Sequence, residues 1–242
     1  MRALRILLII VVILGGLFVI ADRIAVNIAE GKAADKIRES EGLPSTPSVS
    51  INGFPFLTQV ADGTLDDVEI GIKNYDAKGS GGSIRIADLD AEMHGVKFDS
   101  SYSSATADSA TGTARISYAE LLKAVQKQDP AQLAPGITAT ISGLSYGGDG
   151  KVKVELAVKL LGRTVNVPVI SSISVTDGKV SAKADSLPRI GAVDLAENRV
   201  RAVTDFQQAI DDLPAGIKLD NVEAVKDGIE ISVTGSDLHL VG

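Results

Sequence analysis

Ile137-Thr-Ala-Thr-Ile-Ser-Gly-Leu144, the glycine-rich Gly147-Gly-Asp-Gly150 and Lys151-Val-Lys-Val-Glu-Leu-Ala-Val158 follow one another in the second half of the chain. Val152, Val154, Leu156 and Val158 alternate with Lys and Glu, the period-two pattern of a strand with one buried face. Arg163 to Val175 continues in strand-forming residues, with Pro168 predicting an edge or bulge. Asp177-Gly178 is a tight hairpin signal leading into Val180, Ala182 and Ala184. Residues 137–187 therefore read as an antiparallel meander.

The same alternation appears on both sides. Upstream, Val68, Ile70 and Ile72 alternate with polar residues or Gly, and so do Ile84 and Ile86. The phase shifts at Ala87-Asp88, which predicts a β-bulge before Leu89, Ala91 and Met93. Residues 99–113 are mostly Ser, Thr, Ala and Asp and predict a polar loop or weak exposed strands. Downstream, Ile217–Val225 and Ile229–Leu240 predict two strands joined at Asp227-Gly228. Helices are fewer. Ile24 to Ser40 lacks Pro and places Ile24, Ile28 and Ile37 near one face, with Ala25, Ala29 and Ala33 between them. Ser117 caps a short helix from Tyr118 to about Gln128, with Glu120 in the capping-box position. A second amphipathic helix is predicted from about Leu195 to Leu213, its stripe formed by Val203, Phe206, Ile210 and Leu213. Long antiparallel runs plus two longer helices that each need a sheet face make the class α+β.

The 242 residues are 45% apolar but only 4% aromatic, without Trp. A charge of −7 and a pI near 4.9 argue against nucleic acid as a partner. Zero cysteines exclude disulfides, thiolate metal sites and a Cys nucleophile. Two histidines, His94 and His239, leave little material for a triad and none for a His-rich metal centre.

Arg2 and Arg5 precede Ile6 to Ala21, sixteen residues with no charged or polar side chain. As a helix that run is roughly 24 Å long, short of a ~30 Å hydrocarbon core unless Arg5 and Arg23 snorkel. Residues 1–23 are thus a signal peptide or an uncleaved membrane anchor, and Val19-x-Ala21 is a weak cleavage pattern. Either way the early arginines hold the N-terminus inside, so residues 24–242, taken as a single domain, are exported. That remainder carries 21 basic and 30 acidic side chains, a net charge of −9. Attraction to anionic lipid by charge is disfavoured, and any membrane work must rest on apolar surface.

Catalytic patterns are weak. Asp66-Asp67 on a strand point to opposite faces and cannot form the facing carboxylates of a glycosidase. Asp88-Leu-Asp90 begins like a calcium loop, but Met93 occupies the required Gly position. The glycine clusters lack the Gly-Lys-Ser/Thr ending of a phosphate loop, and no Gly-x-Ser-x-Gly elbow occurs. No catalytic residue, metal site or cofactor is expected.

One block stands apart: Val49-Ser-Ile-Asn-Gly-Phe54-Pro55-Phe56-Leu57-Thr58-Gln59, followed by Gly63 and Val68. It closely resembles the opening motif of the LmeA-type phospholipid-binding proteins of actinobacterial cell envelopes. Leu213-Pro-Ala-Gly216 through Asp227-Gly-Ile-Glu-Ile-Ser-Val-Thr-Gly235 is similar to the closing motif of that family, and Tyr118-Ala-Glu-Leu121 to its central Tyr-x-x-Leu segment. The resemblance spans about residues 24–242. It implies a tubular lipid-binding-like domain, a long curved antiparallel sheet wrapped around amphipathic helices with an apolar groove for acyl chains. It also implies a non-enzymatic protein whose partner is phospholipid or glycolipid, with membrane contact through the N-terminal segment if that stays uncleaved. Phe54, Phe56, Leu57, Ile28, Phe206 and Ile210 are the expected lipid-binding residues; as a strand, the block places Phe54 and Phe56 on one face. The alternatives are a structural or interaction domain without a lipid cavity and, more remotely, a hydrolase acting on envelope lipid.

Overall fold

The computed structural model describes residues 2–79, 82–99, 104–126, 129–160, 162–185, 201, 204–209, 213 and 215–241. It opens with one helix, α1 (Arg2–Glu41), in which the apolar run and the helix expected over 24–40 are continuous. No proline interrupts the 40 residues. Gly42 then takes φ +61°, and the Leu43 N–H donates to the Arg38 carbonyl at 2.9 Å. This is a glycine-terminated helix end, followed by the buried Leu43.

Among the described residues twelve strands follow, with short helices between them and helical residues again at Arg201 and Thr204. The first group is β1 (Ser48–Asn52), α2 (Phe56–Asp62), β2 (Thr64–Gly79), β3 (Gly82–Phe98), β4 (Ala105–Ser117) and α3 (Tyr118–Val125). The second is β5 (Ala131–Ala134), β6 (Ile137–Gly148), β7 (Lys151–Leu160), β8 (Arg163–Thr176), β9 (Lys179–Ala184), β10 (Phe206–Ala209), β11 (Ile217–Val225) and β12 (Gly228–Val241). They form two six-stranded sheets, ordered β1-β2-β3-β4-β12-β11 and β10-β9-β8-β7-β6-β5. An apolar N-terminal helix followed by antiparallel sheets is the expected α+β class. The chain packs as two compact units: Met1–Ile72 with Asp90–Thr111 and Gly235–Gly242, and Lys73–Leu89 with Gly112–Thr234.

The meander is the core of the second unit. β7 buries Val152, Val154, Leu156 and Val158, all at 7% exposure or less, while its intervening residues stay partly open. Leu133, Ile137, Ala139 and Val169 pack on the same cluster. Asp177 and Gly178 both have positive φ (53° and 70°), the geometry of a two-residue hairpin turn between the paired Thr176 and Lys179. Pro168 lies opposite Glu155 of β7, in the half of β8 for which no β9 pairing is described. A missing N–H costs no ladder bond on that side.

α3 starts where the sequence places it: the Ser117 hydroxyl accepts the Glu120 N–H at 3.3 Å. Tyr118 is buried and donates its hydroxyl to the Val225 carbonyl at 2.8 Å, tying α3 to the end of β11. Burial pushes the phenol pKa up to about 12, so it stays a donor.

Two expectations are corrected. Phe206–Ala209, assigned above to a helix, is strand β10, and Phe206 pairs with Ala182. The helical spacing of Phe206 and Ile210 is outweighed by a free β9 edge that the backbone can pair with. Upstream of β10, Arg201 and Thr204 are helical as expected, and the Asp205 N–H donates to the Arg201 carbonyl at 2.6 Å; most of the remaining Leu195–Leu213 segment, including Ile210, lies outside the described residues. Residues 99–113, expected to be loop or weak exposed strand, contribute the regular strand β4, which buries Ala107 and Ala110.

Candidate functional site

The Gly53–Gln59 block builds a tight turn and then a helix. β1 ends at Asn52, Gly53 takes φ +94°, the Phe54–Pro55 peptide is cis, and α2 begins at Phe56. A Cβ on Gly53 would lie 2.6 Å from Gln59 Nε2 and 2.9 Å from Asp66 Oδ2, so a side chain there would displace the buried Gln59 amide, and the positive φ disfavours one in any case. Pro55 occupies the N-cap position but supplies no side-chain acceptor. The first amides of α2 are instead met from α1: the Asp22 carboxylate accepts the Leu57 N–H at 2.8 Å and also the Phe56 N–H. Asp22 has no exposed surface, and Arg23 closes an ion pair on it at 2.7 Å. A carboxylate set against a helix start satisfies amides that would otherwise be orphaned.

Gln59 holds the other end. It is buried, accepts the Asp66 N–H at 2.8 Å, and donates to the Asn52 carbonyl at 3.4 Å, so one amide clamps α2 between β1 and β2. The Thr58 hydroxyl donates to the Pro55 carbonyl at 2.8 Å. α1 lies along β1, where Glu30 accepts the Ile51 N–H at 2.8 Å and so occupies part of that edge strand's free side.

Between these elements sits a pocket of about 260 Å³. α1 contributes Ala29, β1 Ile51, α2 Phe56 and Val60, and β2 Leu65. Phe98, Ala105 and the lone polar residue Ser104 complete the wall. The volume is just below the ~300–1,000 Å³ common for ligand sites, enough for part of an acyl chain rather than a whole lipid.

The structure separates the expected lipid-binding residues. Phe56 lines the pocket and is 6% exposed. Phe54 is 57% exposed with the Arg23 guanidinium 5.2 Å from its ring centroid, and Leu57 is 36% exposed. The two rings therefore do not share a face, because the chain turns at Gly53 and enters a helix where the strand reading continued straight. Ile28 is also exposed, like Ile24. The buried side of α1 is Asp22, Val26 and Ala34, with Ala29 and Ala33 half-buried, one step round from the expected isoleucine face. Small residues let the helix approach β1 closely; Ile24 and Ile28 are left outside, while Ile37 is partly buried. Phe206 lies on β10, in the second unit, and is not among the residues that line this pocket; Ile210 is outside the described residues. Ala29, Ile51, Val60 and Leu65 were not singled out. Ile51 and the neighbouring Val60 were nonetheless within reach, because they flank the Phe54–Gln59 block directly.

The family profile described as LmeA-like phospholipid-binding matches residues 20–234. The chain belongs to that family. The match begins just before Asp22, so it takes in the α1–α2 junction and every pocket residue. The family is a lipid-binding one. Neither the curated proteins nor the solved structures compared with the chain include a match.

One polar cluster lies in the same unit. Asp67, Glu92 and His94 bring one ligand-capable atom each to within 4.8 Å of one another, and His94 Nε2 is 3.4 Å from Glu92 Oε1. Glu92 and His94 are about half exposed, an arrangement that solvated acidic surface forms without an ion.

Proposed function

We propose that the protein is a non-enzymatic phospholipid-binding protein of the cell envelope, held at the outer face of the membrane by α1. In this reading residues 24–242 act outside the membrane as one lipid-binding domain. The pocket between α1, β1 and α2 shields part of an acyl chain, and the bound lipid serves envelope glycolipid assembly or lipid transfer. The observation that carries the reading is the coincidence of an apolar pocket with the Phe54–Gln59 block in a chain of a phospholipid-binding family. Half a dozen methylenes withdrawn from water contribute about 5 kcal/mol, enough for retention without a headgroup ligand. The arginines before the apolar run orient the chain outward.

Ala29→Trp tests it. Ala29 faces the pocket from a rigid helix, so an indole there fills the space an acyl chain would take. Native mass spectrometry of the full chain should find phospholipid on the parent and none, or strongly reduced lipid, on the variant, with unchanged circular dichroism. Equal lipid on both would remove the pocket from the function, and none on either would remove lipid holding itself.

A further inference from the structure

The apolar surface of α1 does not stop where the uncharged run stops. Ile6, Ile13 and Ile20 repeat every seven residues, and Ile24 and Ile28 continue the same line one turn at a time; each is between 53% and 59% exposed. Exposed Lys32 then ends the stripe. Measured along this line the apolar surface is roughly 34 Å long, against roughly 24 Å for Ile6–Ala21. The longer figure matches a ~30 Å hydrocarbon core and the shorter one does not.

The opposite side of α1 behaves differently. There the apolar run gives way to Asp22, which is buried because α2 is docked on it. At that level the turn before α2 offers exposed Phe54 and α2 itself exposed Leu57, whose amide is bonded to Asp22. Arg23 lies over the Phe54 ring with its side chain 48% exposed. A cation stacked on an exposed aromatic ring, at the end of an apolar helix, suits a headgroup layer that is apolar on one side and wet on the other.

We infer that the lipid bilayer is the occupant of this surface. On the free side of α1 the outer leaflet rises to Ile28; on the domain side it rises to Phe54 and Leu57. The base of the domain is thus immersed in the interface, not suspended above it. Ala29, at the pocket wall, is only about 10 Å along the helix from Asp22. An acyl chain leaving the outer leaflet therefore has a short path to the pocket. A net charge of −9 beyond residue 23 offers no electrostatic attraction to anionic lipid, so immersion rests on these apolar groups. A second copy of the chain is a weaker occupant, because within lipid the stripe gains no hydrophobic energy from pairing with another.

The inference rests on α1 staying attached, and the experiment separates the two. The chain has no Trp, so single tryptophans report without background. The full chain carrying Leu17→Trp, Phe54→Trp, Leu57→Trp or Glu41→Trp is reconstituted in phosphatidylcholine vesicles with acyl-chain bromine as the quencher. All four positions are exposed, and matching circular dichroism melts verify the fold. Quenching at 17, 54 and 57 but not at 41, about 20 Å further along α1 than Ile28, is the expected pattern. Quenching at 17 alone means an anchored chain with a dry base and overturns the inference. No quenching at 17, with a mature N-terminus near residue 22 by mass spectrometry of protein from cells, overturns the anchor on which it rests. Concentration-dependent cross-linking through position 24 together with no quenching at 54 and 57 assigns the surface to self-association instead.

Discussion

Phe56 and Phe54 are two residues apart and should respond to the same substitution in opposite ways. Phe56→Ala removes a ring that is 6% exposed, packed at the start of α2 and forming one wall of the pocket. Buried Phe→Ala changes cost about 3–5 kcal/mol. The pocket side of this ring contributes few packing contacts, so the lower end, about 3 kcal/mol, applies. That shifts the folded-to-unfolded ratio by roughly 150-fold and is a large share of a stability near 5–15 kcal/mol. Phe54→Ala removes a ring that is 57% exposed and stacked under Arg23. Only an exposed cation–π contact is lost, about 0.5–1 kcal/mol. Urea titration of both variants in one detergent, followed by circular dichroism, measures the difference, which should exceed about 2 kcal/mol. Equal, large losses would mean that both rings point inward, as a continuous strand requires, and the turn at Gly53 would be wrong. Equal, small losses would mean that Phe56 does not frame the pocket.

Two further outcomes follow from the second unit. Gly228→Ala places a Cβ against the backbone carbonyl of Ile116, which cannot swing away as a side chain would; a loss of about 2–3 kcal/mol in the same titration is expected, and a neutral result would refute the close approach of β12 to the α3 entry. Asp185 is held below the usual carboxylate range by the Lys151 ammonium at 2.7 Å, then by the Ser172 hydroxyl, and Lys151 is raised in return. Stability from the lowered carboxyl is present above its unfolded pKa and lost as pH falls through the folded value; that from the raised ammonium is present below its unfolded pKa and lost as pH rises through the folded value. Asp185→Asn should flatten the acid limb of a melting-temperature-versus-pH curve, and an unchanged acid limb would show that the pair does not form.

The legible parts of the fold were those in which one local force dominates. β7 is apolar at every second position, and no other arrangement of Val152, Val154, Leu156 and Val158 buries all four. The Ser117 cap and the Asp177-Gly178 turn are likewise short-range chemistry, in which a few neighbouring residues determine the backbone. The misjudged parts are those in which a distant partner sets the outcome. Phe206 sits on a plausible helical stripe, yet the open edge of β9, more than twenty residues away, pairs with its backbone. On α1 the spacing points to Ile24 and Ile28 as part of the packing face, but the buried side is formed by Asp22, Val26 and Ala34. The same holds for the candidate site. Its Phe-Pro-Phe block was visible as a motif, whereas the division of labour within it depends on Asp22, 32 residues before Phe54, and no spacing rule connects the two.

Asp22 also explains why the site belongs with the N-terminal helix and is not merely adjacent to it in sequence. A carboxylate at the end of an apolar run is costly in a simple anchor, because it lies where the bilayer would desolvate it. Here it is fully buried against protein, paired with Arg23 and bonded to the first amides of α2. Its charge is thereby answered by an ion pair and by N–H donors that Pro55 leaves unmet. The same interaction fixes the depth of Leu57 relative to α1 and sets Phe56 facing Ala29 across the pocket. Removing the carboxylate would leave buried amides without acceptors and an arginine without its partner. It would also free α2, and with it the pocket wall, from α1. The carboxylate at the end of the apolar run is therefore the contact through which α1 positions the pocket.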